Sequence, residues 1–239
     1  MLEENKNIRP AATVESENIP PVQDEILSVT DSSDYIGNDG PKTAANEATP
    51  LALKWVDNAI RMLNSCKRSI GSVVAVNSIA KREIAIVRLH FHTDRSMSGT
   101  TETENLQKIE SNYQTMRRYL CNSEHVFRSV DDETASRDTL GYFQRDGPLV
   151  GGYVYSMKSI SFTSHYPTLG PNCKASVIIH ELAHYIDARM GHVGGESGLT
   201  YTLSDFETAV NNVFCYQNFA VNATPPYFDE RFGMNRPNV

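Results

Sequence analysis

The stretch Ala175-Ser-Val-Ile-Ile-His-Glu-Leu-Ala-His-Tyr-Ile-Asp-Ala-Arg-Met190 constrains this chain more than any other part of it. It contains neither Gly nor Pro, and its apolar spacing predicts a buried helix over about residues 174–190, with Gly191 as the stop. Inside it lies His180-Glu181-Leu182-Ala183-His184, an H-E-x-x-H pattern. Helix positions four apart stand one above the other, so His180 and His184 would aim their imidazoles at one point, as a zinc site requires. Glu181 would reach the same side, where a carboxylate can take a proton from water activated by the metal.

The segment resembles the active-site helix of the zincin metallopeptidases. It is most similar to the deuterolysin and lysine-specific metalloendopeptidase group, the aspzincins. Gly152-Tyr-Val-Tyr155 followed by Lys158-Ser-Ile-Ser-Phe162 resembles that group's Tyr-Val-Tyr element and the strand before the active helix. Cys173 stands where a cysteine often precedes that helix. Ala209-Val210, Asn212, Tyr216 and Phe219-Ala220 resemble a downstream helix that reads A-L/V-x-N-A-D-x-Y-x-x-F-A in the group. The resemblance covers about residues 85–222. It implies an α+β fold, a mainly helical zincin-like domain with a small mixed sheet, and zinc-dependent hydrolysis of peptide bonds.

The group's third zinc ligand sits in a G-T-x-D-x-x-Y-G motif, and no such motif follows His184. A catalytic zinc takes three protein ligands and leaves one position open, so other residues must be weighed. His192 follows Gly191, where a turn would swing its ring back towards the metal, as the last histidine of metzincins does after their glycine. Glu207 lies at the start of an expected helix capped by Ser204 or Asp205 and running on through Phe219. With Asn211 it stands in the relation of the gluzincin E-x-x-x-D ligand pattern, although an acid in a first turn also simply favours the helix dipole. Asp187 shares a helix face with both histidines, and a last-turn acid there fits a role in orienting a ligand histidine or a loop donor. Glu196 stands at nearly the aspzincin spacing from His184, within a Gly-rich stretch. His192 leads, Glu207 follows, then Asp187 or Glu196, and the choice stays open at this point. Aspzincins also carry a Tyr that steadies the oxyanion; Tyr201 is the best-placed counterpart, one of eleven Tyr in the chain.

The remaining chain bounds the setting. Residues 1–48 are rich in Glu, Asp, Asn, Ser and Pro and are expected to form a disordered leader, whether a propeptide, a secretion tail or a linker. Residues 49–239 are expected to form the zincin-like domain. A net charge of −7 argues against nucleic acid as a partner. No apolar run approaches membrane-spanning length. Met1-Leu-Glu-Glu-Asn-Lys has no signal-peptide character, so the expectation is a secreted mature form or an effector delivered by a specialised secretion route; a cytoplasmic location also stays open. The four Cys show no C-x-x-C spacing, which gives no sign of a structural zinc site. Helical spacing runs from Leu51 to about Ser69, from Ser78 to about Phe91, and from Thr103 to Leu120 behind a capping-type Thr101-Glu-Thr-Glu104. His90 and His92 read as helix-end histidines rather than ligands.

The expectation is a monomeric zinc metalloendopeptidase, as a secreted effector or toxin protease acting on protein or peptide substrates. Zn2+ would rest on His180, His184 and a third ligand, with Glu181 and Tyr201 in catalytic roles. Two other readings are open: a degenerate zinc-binding protein that acts by interaction, and a zinc amidase of cell-wall peptides.

Overall fold

The computed structural model describes residues 40–70, 78–123, 126–129, 141–145, 158–192 and 199–224. All of them belong to one compact unit, Asn38–Val239. The leader up to residue 39, Tyr153-Val-Tyr155 and Glu196 lie outside the described residues.

Three helices form the frame: α1 (Gly40–Ile70), α2 (Ser78–Phe91) and α3 (Glu102–Leu120). Helix α1 begins at Gly40 rather than Leu51, well inside the stretch assigned to the leader. Its inner face there is Ala44, Ala45, Ala48 and Ala52, all buried. Such small side chains let backbones approach closely, and α1 packs along α3 and α4 (Pro171–Ile186). Helix α3 starts on the expected capping box. The Thr101 side chain accepts from the Glu104 N–H, and the Glu104 carboxylate accepts from the Thr101 N–H at 2.7 Å.

The sheet is small and mixed. Central β3 (Lys158–Phe162) pairs in parallel with β1 (Phe127–Ser129) and antiparallel with β2 (Gly141–Arg145). The described part of the molecule is therefore mostly helical α+β. An aromatic cluster locks α2 and α3 to the C-terminal α7 (Val213–Asn222): Phe91 meets Tyr216 at 5.0 Å and Phe219 at 5.4 Å, and Tyr113 meets Tyr216 at 5.4 Å between ring centroids. No helix among the described residues is long and apolar enough to cross a membrane. All four cysteines are free thiols, with Cys66 and Cys215 buried.

Two boundaries differ from expectation, and both differences shape the site. Helix α4 starts at Pro171 behind Gly170 and stops at Ile186, short of Met190. Asp187 ends it: its carboxylate accepts from the Arg189 N–H at 3.0 Å and from the Arg189 guanidinium at 2.7 and 2.9 Å. This local side-chain turn competes with the next helical turn, so the stop comes from Asp187 and not from Gly191. The second difference lies after the short α5 (Leu199–Leu203), where the downstream helix is split into α6 (Phe206–Ala209) and α7, with Val210, Asn211 and Asn212 between them. Asn212 is extended (φ −104°, ψ 116°), and its side chain caps α7 by accepting from the Phe214 N–H at 3.1 Å.

Candidate metal centre

The H-E-x-x-H residues occupy the last two turns of α4, where His180 and His184 are half-buried. The short turn 187–190 reverses the chain, closed by the Met190 N–H donating to the Asp187 carbonyl at 2.9 Å. Gly191 then forms an isolated parallel bridge with Asn212. Its N–H donates to the Asn211 carbonyl at 2.9 Å, and its carbonyl accepts from the Val213 N–H at 3.0 Å. The next residue, His192, is thereby held over the two histidines of α4. Its Nε2 lies 3.0 Å from His180 Nε2 and 3.3 Å from His184 Nε2.

The outer ring nitrogens define the chemistry of the three inner ones. His184 Nδ1 lies 2.9 Å from the Met190 carbonyl, which can only accept, so this nitrogen carries a proton. His180 Nδ1 lies 2.8 Å from Gln217 Oε1 and is protonated for the same reason. In the neutral rings both Nε2 atoms then present lone pairs. Burial, reinforced by the neighbouring imidazoles, pushes His180 down to about 4; burial also lowers His184, with His192 as a smaller cause. One N–H at His192 Nε2 can bridge one pair of inner nitrogens but not both. One cation can satisfy all three.

The spacing fits as well as the chemistry does. Two nitrogens bound to one tetrahedral zinc at about 2.0–2.1 Å sit about 3.3 Å apart. These are the only three residues among those described whose side chains meet as a possible metal site. Phe214 walls the site, 4.9 Å from His180 and 5.0 Å from His192 between ring centroids. Glu181, beside them on α4, is buried.

The other sequence candidates are placed elsewhere. Glu207 begins α6, but its carboxylate accepts from Ser96 Oγ at 2.8 Å and from the Met97 and Ser98 N–H groups at 3.1 Å each. Those donors, Ser98 first, hold its carboxyl down at about 2. It anchors the 96–98 loop and is not in the histidine cluster. Asp187 accepts from the Arg189 N–H and guanidinium, so of its two expected partners, a ligand histidine or a loop donor, the bonds described are those to the turn. Tyr201 is 2% exposed, and its hydroxyl lies 2.7 Å from His90 Nδ1, in the interior rather than at the cluster.

Sequence reasoning missed Gln217, Phe214 and the Met190 carbonyl. A glutamine on an apolar helix carries no sign of its partner, and a main-chain carbonyl has no signature at all. Compared with protein-family models, with curated proteins and with solved structures, the chain matches none.

Proposed function

We propose that this chain is a zinc-dependent metalloendopeptidase of zincin type, with His180, His184 and His192 as the metal ligands. The observation that carries this reading is the convergence of three imidazole Nε2 atoms, two of the separations being 3.0 and 3.3 Å, with proton acceptors behind the two α4 rings. When bound, zinc polarises a scissile carbonyl and makes water acidic enough to attack near neutral pH. Glu181 receives the proton from that water and delivers it to the leaving amine. Its place between the two helical ligands supports the role. His184 and His180 keep their outer N–H groups on Met190 and Gln217, which holds the rings in register for the metal. The resemblance of α4 to the aspzincin active helix supplies the peptide as substrate class.

A second reading has one observation in its favour. With its hydroxyl 2.7 Å from His90, Tyr201 is not placed to act as the phenol that aspzincins use for the oxyanion. A zinc-binding protein without peptidase activity fits that fact. One experiment separates the two: zinc content and cleavage of an unfolded protein substrate, for wild type and Glu181→Gln. The peptidase reading expects about one zinc per chain in both and a loss of activity of about 10²–10⁴-fold in the variant. Zinc in both with no cleavage by wild type leaves the interaction reading. No zinc in wild type defeats both.

A further inference from the structure

We infer that Gln217 is a positioning residue of the metal centre, and that its lack of charge is part of its role. The inference rests on the zinc reading above. The two helical ligands are held by different means. His184 is oriented by a carbonyl in its own chain turn, Met190, six residues away. His180 has no such local partner for Nδ1. Its ring is held by a side chain from another helix, thirty-seven residues on, at 2.8 Å.

Removal of the Gln217 amide therefore frees the His180 ring to turn about its side-chain bonds and to exchange the proton between its nitrogens. Either change withdraws a lone pair from the cluster. Such outer partners typically govern metal affinity by 10–100-fold.

The chemical character of the acceptor matters as well. A carboxylate in this position would place a negative charge on the ring and strengthen it as a donor to the metal. Here both outer acceptors, the Gln217 amide and the Met190 carbonyl, are neutral oxygens. They orient the rings without offsetting the charge of a bound dication. The site thus gives up some grip on the metal and retains its power to polarise a substrate oxygen.

The test is zinc affinity by competition with a chelator of known strength, on the full chain, for wild type, Gln217→Ala, Gln217→Glu and His180→Ala. Visible absorption of the cobalt(II)-loaded proteins serves as a second readout of ligand geometry. The expected result is a loss of 10–100-fold in affinity for Gln217→Ala with an altered cobalt spectrum, and affinity at or above wild type for Gln217→Glu. A larger loss is expected for His180→Ala. If Gln217→Ala binds zinc as wild type does while His180→Ala does not, the positioning role is wrong and the zinc reading stands. If Gln217→Glu binds more weakly than wild type, the argument from neutrality is wrong, and this variant decides even where the alanine variant fails to fold. If wild type itself takes up no zinc, the zinc reading falls and the inference with it.

Discussion

Two pairs of histidines each send one member against the same helix, and their surroundings are opposite. On one side of α7, His90 and His92 end α2. On the other, His180 and His184 end α4. His90 is fully buried, with Nδ1 2.7 Å from the Tyr201 hydroxyl and Nε2 2.7 Å from the Asn222 amide. His92, with a positive φ of 48°, places Nε2 2.8 Å from the Tyr201 carbonyl. Both nitrogens of His90 are thus satisfied by groups of the opposite hydrogen-bonding sense. At the other pair only the outer nitrogens are satisfied, and the inner ones face one another and His192 across half-open space. The difference teaches what the zinc reading rests on: a histidine offers itself as a ligand through the nitrogen that no complementary group satisfies. Burial and proximity to other histidines are common to both pairs.

The contrast can be broken most sharply at His192. His192→Ala is expected to lower zinc affinity by more than about 100-fold, beyond the usual effect of an outer partner. Unfolding of the metal-free protein should shift little, because the residue is exposed. Isothermal titration with zinc checks the first half and thermal melting in chelator the second. Retention of wild-type affinity would remove His192 from the ligand set.

The satisfied pair should behave the other way. His90→Leu leaves the Asn222 amide and the Tyr201 hydroxyl without their partner in the interior, a loss of roughly 2–4 kcal/mol of stability. Zinc stoichiometry should be unchanged. Burial, with His92 as a lesser cause, pushes His90 down to about 3, against about 6.5 in the unfolded chain. Below that unfolded value the unfolded state takes up a proton that the folded state refuses. Stability is therefore complete above about pH 6.5 and falls as pH drops towards 3, by up to about 1.4 kcal/mol per pH unit for this one group. Urea unfolding in chelator at several pH values should give a steeper acid slope for wild type than for His90→Leu, by one proton. Equal slopes would show that His90 is not the titrating group.

The smallest effect is expected at Glu207. Glu207→Ala removes the acceptor that gathers the 96–98 loop, and its exposure keeps the loss at about 1 kcal/mol or less. Zinc affinity should stay at the wild-type value. A drop in affinity would restore Glu207 as a ligand and undo the distinction drawn between it and His192.

How far the molecule can be read from its sequence follows from the range of each interaction. Helix α2 and the capping box of α3 are local, so periodicity and a four-residue pattern reveal them. His180, Glu181 and His184 are likewise local, since one helix sets their spacing. The start of α1 is not local: Ala44, Ala45, Ala48 and Ala52 give little hydrophobic contrast, and they are buried by tertiary packing, with the Lys42 N–H beside them donating to Ser129 of β1. The end of α4 is hidden because Gly191 is a common helix stop, whereas the Asp187 side chain intervenes first. His192 could be named from its place after a glycine, but the reason it reaches the site lies some twenty residues on, in the backbone of Asn211 to Val213. The placement of Tyr201 is not legible either, because its phenol meets His90, a residue 111 positions earlier.

That backbone strap sets an order of events during synthesis. The three histidines lie within thirteen consecutive residues, yet a nascent chain that has emerged only as far as His192 holds just the α4 pair in register. The third ring is fixed only once Asn211 and Val213 have left the ribosome and bonded to Gly191, and the His180 ring only after Gln217 has followed. On the zinc reading, tight metal capture would be deferred until α7 has emerged, and a chain interrupted before α7 would be released without the strap and without Gln217.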